Sequence, residues 1–241
     1  MHEDAHGASD LWGKLDAFRD ATILPCTVEA ARDMQGNQPD DRYIDALAAL
    51  GTTRGYPKNA ILVQEGDRTD QIYLLLSGRL KVYLADSDGK EIIVDVLGPR
   101  QYFGEMALDG EPRSASVMTM EQAKLVVIER DEFKQFLAQH PEMAFQFTVS
   151  LIRRARHLTR TVGNLALLDV YGRVARFLLD HAVDDGGRLV VSSQASQQEI
   201  AKRVGTSRET VSRILTDLRD GGYIAVEGNA MVIRQRLPKR W

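Results

Sequence analysis

The sequence predicts an α+β chain: an N-terminal jelly-roll-like β-barrel, a long dimerisation helix and a C-terminal winged helix-turn-helix domain. Between about residues 61 and 128, short apolar runs alternate with Gly- and Asp-rich turn signals, the texture of many short strands. From Pro141 to about Leu168 the apolar period is helical and Gly163 is the one strong breaker. Beyond that, capped helices and a hairpin pattern fill a short C-terminal stretch.

Length and composition set the frame. With 241 residues, 44% of them hydrophobic, the chain exceeds one small module and suits two domains with a connector. The expected divisions are an extension over 1–42, a β-rich domain over 43–140, the long helix and hinge over 141–168, and the helix-turn-helix domain over 169–241. No run approaches the roughly 18 apolar residues of a membrane helix. The start, Met1-His2-Glu3-Asp4, shows no secretory signal, so a cytoplasmic protein with no membrane partner is expected. The one cysteine, Cys26, excludes an intrachain disulfide and a cysteine cluster for an iron–sulfur centre or structural zinc. It reads as a buried thiol, and no metal cofactor is expected. Net charge is −3, but residues 171–241 carry 12 Lys/Arg against 8 Asp/Glu while residues 1–170 carry 19 against 26. The basic surplus sits at the C-terminal end, where a phosphate-binding surface would need it.

The first 42 residues are polar and irregular apart from short helical patches such as Leu11 to Phe18. A helical run, Tyr43 to Leu50, precedes the strands. These are Ala60 to Val63, Ile72 to Leu76, Leu80 to Leu84, Ile92 to Leu97 and Leu125 to Ile128. They are punctuated by Glu65-Gly66-Asp67, Ser77-Gly78, Asp86 to Gly89 and Gly98-Pro99. A short helix, Asp131 to Gln139, follows, and Pro141 opens the next at a position that tolerates proline. Along it, heptad counting aligns Ala144, Leu151, Leu158 and Leu165 on one line and Phe147, Arg154, Thr161 and Leu168 on the other. This is a coiled-coil seam, for which a second identical chain is the simplest partner. An amphipathic helix packed on its own domain has the same pattern.

The most informative segment runs from Ser193 to Ile233. Ser196-Gln197-Gln198-Glu199 is a capping box opening a helix with Ile200, Ala201 and Val204 as apolar positions; Gly205 makes the turn. Thr206-Ser207-Arg208-Glu209 is a second box, followed by Val211, Ile214, Leu215 and Leu218 on one face. Two capped helices joined at a glycine form a helix-turn-helix. Arg208, Glu209, Ser212 and Arg213 share the opposite face. Arg there can donate two bonds to guanine and Glu can accept from cytosine, while Glu209 and Arg213 also have the spacing of a plain surface ion pair. Tyr223 to Arg234, turning at Glu227-Gly228-Asn229, reads as a wing.

Gly205 to Leu215 resembles the recognition helix of the cAMP receptor protein/fumarate–nitrate regulator (CRP/FNR) family of transcription regulators, in its cyclic-nucleotide-binding branch. The resemblance spans about Tyr56 to Ile233. It implies a homodimer on double-stranded DNA, with Thr206, Ser207, Arg208, Glu209, Thr210, Ser212 and Arg213 at TGTGA-like half-sites, and RNA polymerase as a partner. Residues 1–42 and Asp184-Asp185-Gly186-Gly187 differ from the cAMP receptor pattern, so no polymerase-contacting surface is carried over to them. Phe103 to Leu108 with Pro112-Arg113-Ser114-Ala115 looks like the phosphate-binding cassette of cyclic-nucleotide domains. A glycine admits a phosphate close to the backbone, a short turn offers N–H groups, Glu105 can accept from a ribose hydroxyl, and Arg113 with Ser114 can hold the phosphate. The same residues also suit a hairpin with a surface ion pair. The expected ligand contacts are Gly104, Glu105, Met106, Ala107, Arg113 and Ser114, with Leu158 and Thr159 over the base. The expected dimer contacts are Phe147, Leu151, Arg154, Leu158, Thr161 and Leu165.

Val162 to Val170, followed by Gly172-Arg173, resembles the hinge of the family. By that alignment Leu158 and Thr159 stand where cAMP receptors place a Thr-Ser pair, and Leu158 cannot hydrogen-bond to a base. The expected effector is therefore cAMP or another cyclic nucleotide, including a cyclic dinucleotide such as c-di-GMP, with a sensor that has lost its ligand as the alternative. The competing reading is a nucleotide-sensing module that acts through protein partners. An enzyme is not expected, because His157 and His181 have neither a nucleophile nor metal-ligand spacing beside them.

Overall fold

The computed structural model describes residues 41–192, 196–228 and 230–237. The Leu11–Phe18 patch, Cys26 and the turn residue Asn229 lie outside the described residues, as does the expected extension up to residue 40. One compact unit runs to Gly163 and a second begins at Asn164, inside the long helix and ahead of the boundary expected at 168/169.

In the first unit α1 (Asp41–Leu50) leads into β1 (Thr52–Tyr56), β2 (Ile61–Val63), β3 (Gln71–Ser77), β4 (Leu80–Ala85), β5 (Glu91–Leu97) and β6 (Tyr102–Phe103). A 3-10 turn (Glu105–Asp109), β7 (Ser116–Thr119) and β8 (Ala123–Glu129) follow, then α2 (Arg130–Gln139) and α3 (Pro141–Leu167). The strands form two four-stranded antiparallel sheets, ordered β1-β8-β3-β6 and β2-β7-β4-β5. The jelly-roll-like topology is therefore present as two sheets and not as a closed cylinder. β6 is two residues long and β1 is exposed along nearly its whole length, which leaves edges that closure would have paired.

The two faces of the first sheet explain why β3 reads as an unbroken apolar run. Tyr73 and Leu75 join Val63, Leu80, Leu97, Phe103, Val117 and Leu125 between the sheets. Ile72 and Leu74, on the other face, are covered by Leu47 of α1, Phe133 and Phe136 of α2, and Met143 and Phe147 of α3. A strand buried on both faces has no polar side to alternate with.

That packing fixes the phase of α3 and corrects one expectation. Of the two seam lines, Leu151, Leu158 and Leu165 are exposed. The line through Phe147, Arg154 and Thr161 is not a free face. Phe147 is buried, stacks on Tyr102 and meets Phe133 edge to face, Arg154 bonds into its own domain, and Thr161 is half-buried and donates to the His157 carbonyl. A helix that covers a sheet with one side leaves only the remaining arc for a partner. On that arc the second line runs one residue later, through Ala155 and Val162, the latter 64% exposed.

In the second unit Asp169 caps α4 (Val170–Asp180) by accepting from the Gly172 N–H at 2.7 Å. β9 (Ala182–Asp185), β10 (Arg188–Ser192), α5 (Gln197–Val204), α6 (Arg208–Asp220), β11 (Ile224–Glu227) and β12 (Ala230–Ile233) complete it. The sheet order is β11-β12-β10-β9. Val174 and Leu178 of α4, Ile200 and Val204 of α5, and Val211, Ile214 and Leu218 of α6 share one core with Val191 and Ile224 of the sheet.

Candidate functional site

The first candidate site begins where β6 ends. Gly104 has φ 91°, a conformation side-chain-bearing residues rarely adopt. A Cβ there would also lie 2.7 Å from the Gln71 carbonyl oxygen and 2.8 Å from Arg113 Nη1. Glycine thus lets Arg113 pass beneath the turn. The Arg113 guanidinium donates from Nε to Thr69 Oγ1 (2.7 Å), from Nη1 to the Gly104 carbonyl (2.9 Å) and from Nη2 to the Gln71 carbonyl (2.6 Å). The residue is 5% exposed, and these three hydrogen-bond partners are all neutral. Burial lowers its pKa while Tyr73, Glu105 and Asp70 pull it up; a guanidinium stays protonated throughout. Of its five N–H groups these bonds use three, so each terminal nitrogen keeps one for an anion.

Around this cation the structure gathers most of the expected ligand residues. Glu105 opens the 3-10 turn with one carboxylate oxygen, Oε1, accepting from Arg154 Nη1 at 2.5 Å. The other, Oε2, is buried with no hydrogen-bond partner among the described residues. Ser114 donates to the Met106 thioether at 3.0 Å, a weak acceptor that a phosphate oxygen would outcompete. Ala107 departs from expectation. Its side chain is buried and its N–H already donates to the Gly104 carbonyl. Leu158 and Thr159 are exposed, and Thr159 Oγ1 donates to the Ala155 carbonyl.

Arg154, placed on the dimer seam from its heptad position, belongs instead to this site. It bridges Glu105 and the Tyr102 carbonyl, with its guanidinium 5.2 Å from the centre of the Tyr102 ring. Burial depresses its pKa, yet the Glu105 charge and hydrogen bond outweigh burial and the net shift is upward. The helical period alone could not find it, because Arg at a seam position and Arg facing a pocket share the same spacing.

The second site is the outer face of α6. Ser196 caps α5 by accepting from the Glu199 N–H at 3.1 Å, while the Glu199 carboxylate turns to Arg203 at 2.6 Å, so only half of the expected box forms. Gly205, at φ 69°, closes the helix. The cap of α6 is Ser207, one residue after the expected Thr206. It accepts from the Thr210 N–H at 3.1 Å, and the Ser207 and Thr210 hydroxyls lie 3.0 Å apart. Arg208, Glu209 and Arg213 are exposed. Among the described residues, no ion pair joins Glu209 to Arg213, and neither Arg208 nor Arg213 is taken up by another acid. Gln197 and Thr216 line the same concavity as Arg208, Glu209, Ser212 and Arg213. Gln197 drew no notice in the sequence because its place in the cap of α5 accounted for it. Arg173 braces the turn from behind, donating to the Val204 and Leu168 carbonyls at 2.7 and 2.9 Å.

Comparison with known proteins bears on both sites. Residues 53–140 match the cyclic nucleotide-binding domain family and residues 172–237 the Crp-like helix-turn-helix domain family. The chain is 35% identical over 213 residues to a CRP-like cAMP-activated global transcriptional regulator of Mycobacterium tuberculosis, covering 86% of this chain and 94% of that protein. It is 33% identical over 187 residues to the cAMP-activated global transcriptional regulator CRP of Escherichia coli, covering 74% and 87%. Among solved structures, the c-di-GMP responsive global regulator CLP of Xanthomonas campestris superposes with a TM-score of 0.69 at 26% identity, covering 82% of this chain and all of that one.

Proposed function

The chain belongs to the CRP/FNR family of transcription regulators, and from that we propose a homodimeric regulator in which a cyclic nucleotide at the Arg113–Glu105 pocket controls binding of α6 to a palindromic operator. The observation that carries the ligand half is the buried Arg113 guanidinium, which among the described residues has no carboxylate in contact with it, beside a buried Glu105 oxygen that has no partner among them. A buried cation is costly unless an anion meets it, and a buried acceptor is costly unless a donor does. A cyclic phosphate ester with a ribose hydroxyl supplies both at once.

The phosphate takes the two spare Arg113 N–H groups and the Ser114 hydroxyl, releasing Met106. The ribose hydroxyl donates to Glu105 Oε2, and the base extends toward Leu158 and Thr159 of α3. The exposed line Leu151, Ala155, Leu158, Val162 and Leu165 packs against the same line of a second copy. Two copies on one duplex place their recognition helices about 34 Å apart, one turn of DNA. Arg208, Glu209 and Arg213 then read TGTGA-like half-sites. Such a protein works in the cytoplasm, beside RNA polymerase at its promoters, and needs no catalytic residue.

A pocket of this chemistry accepts cAMP or one half of c-di-GMP, and Leu158 removes a polar contact that would select adenine. Calorimetric titration with each nucleotide tests the ligand half. Saturable binding of one of them, abolished in Arg113→Leu, supports it; no heat from either contradicts it.

A further inference from the structure

The two-residue strand β6 is a weak anchor for a ligand pocket. It pairs with β3 only at Leu74↔Tyr102 and Tyr73↔Phe103, yet the cassette hangs directly from its end. Leu75 adds bonds to Arg100 and Gln101 just before it, and α3 supplies a second, independent set of ties to Tyr102. Its ring stacks on Phe147 with centroids 5.1 Å apart. Its hydroxyl is bonded to Ser150, and its carbonyl accepts from Arg154. Positions 147, 150 and 154 lie on one face over two turns of helix.

The hydroxyl bond is the part of this arrangement that packing does not require. Ser150 Oγ donates its single proton to the Phe147 carbonyl at 2.9 Å, so the Tyr102 O–H is the donor to Ser150. Both residues are buried, Tyr102 at 3% and Ser150 at 4% exposure, beside Phe133, Met143 and Phe147. Burying an O–H there costs free energy unless it is bonded. A phenylalanine would keep the ring stack and the guanidinium above it. Burial also pushes the Tyr102 phenol well above its ordinary pKa, so it remains a neutral donor.

We propose that Tyr102 is the positioning residue through which the pocket acts on the long helix. Its hydroxyl, bonded to Ser150, and its carbonyl, bonded to Arg154, lock the start of the cassette to successive turns of α3. A ligand that draws Glu105 and the 3-10 turn inward therefore moves Tyr102, and Tyr102 moves α3. The idea rests on the nucleotide reading of the pocket for its use, but not for its geometry.

The test compares full-length wild type with Tyr102→Phe, Ser150→Ala and the double variant. Calorimetry measures cAMP and c-di-GMP affinity, and anisotropy measures how far each nucleotide tightens operator binding. In Tyr102→Phe, nucleotide affinity should stay within about threefold, while the nucleotide-induced tightening falls about five- to tenfold, the scale of one lost hydrogen bond. The double variant should lose no more than the worse single one, because both remove the same bond. Hydrogen exchange without nucleotide should be several-fold faster over residues 103–109 and 150–158 in Tyr102→Phe. Unchanged tightening together with unchanged exchange overturns the proposal, as does a loss of nucleotide affinity equal to the loss of tightening. Should wild type answer neither nucleotide, the function above fails, and the exchange measurement alone decides whether the lock exists.

Discussion

In the pocket, Arg113 is buried and Arg154 half-buried, and their terminal nitrogens all meet protein acceptors. On α6, Arg208 and Arg213 stand exposed with no acidic partner among the described residues. The same side chain is thus used in opposite ways. A pocket for a small anion must exist before the anion arrives, so its cations are fixed in place and the fold depends on them. A face that reads DNA meets a partner large enough to order it on contact, so its cations cost the fold nothing when left free. Ligand-pocket substitutions should therefore disturb stability and function together, and recognition-face substitutions should separate them.

The largest effect should come from Arg113→Leu. It strips the guanidinium donors from the Thr69 hydroxyl and from the Gly104 and Gln71 carbonyls, costing about 1–3 kcal/mol of stability, and removes about 2–5 kcal/mol of ligand affinity. A melting curve and a nucleotide titration on one preparation check both; an unshifted melting temperature would break the comparison on the pocket side. Next is Arg208→Ala, with a loss of about 1–3 kcal/mol on the matched operator and relaxed preference at one base. Its melting temperature should not move, and equal losses on every DNA sequence would mean that it meets only phosphate. Ser207→Ala should cost about 1 kcal/mol by uncapping α6, so here stability and operator affinity fall together.

The smallest effect is a pH dependence. His181 stacks on Phe177; its Nδ1 bonds the Phe177 carbonyl at 2.8 Å and its Nε2 lies 2.9 Å from Arg203 Nη1. Nε2 must then be the acceptor and Nδ1 the donor, which is the neutral ring. Burial holds its pKa below the ordinary 6.5, with Arg203 adding to that and the Phe177 carbonyl, Asp180 and Glu199 opposing it. The unfolded chain takes up the proton first as pH falls. The stability this ring contributes is therefore complete above about pH 6.5 and declines as pH drops below it. Melting temperature followed from pH 8 to pH 5 should show that slope in wild type and a shallower one in His181→Gln.

Much of this was legible in the sequence where one cause dictated one pattern. Capped helices around Gly205, the buried run of β3 and the proline start of α3 each have a local signature, and the structure contains all three. β1 was not legible, because Thr52-Thr53-Arg54-Gly55 is an exposed edge strand with no apolar face to alternate. β6 and β7 were hidden beside the cassette by their brevity. The phase of α3 failed for a different reason. Phe147 and Arg154 fit a heptad as well as Ala155 and Val162 do, and only the sheet beneath them decides which line faces inward. The cation at Arg113 was readable, whereas its partners Thr69 and Gln71, roughly forty residues upstream, come together through the fold alone.

The most direct test of the central claim is anisotropy binding to a TGTGA-N6-TCACA duplex, titrated with cAMP and separately with c-di-GMP. One nucleotide should sharply tighten binding to this duplex and not to a scrambled one, and Arg113→Leu should erase the tightening. No binding even at low salt, or binding that ignores both nucleotide and sequence, would contradict that claim.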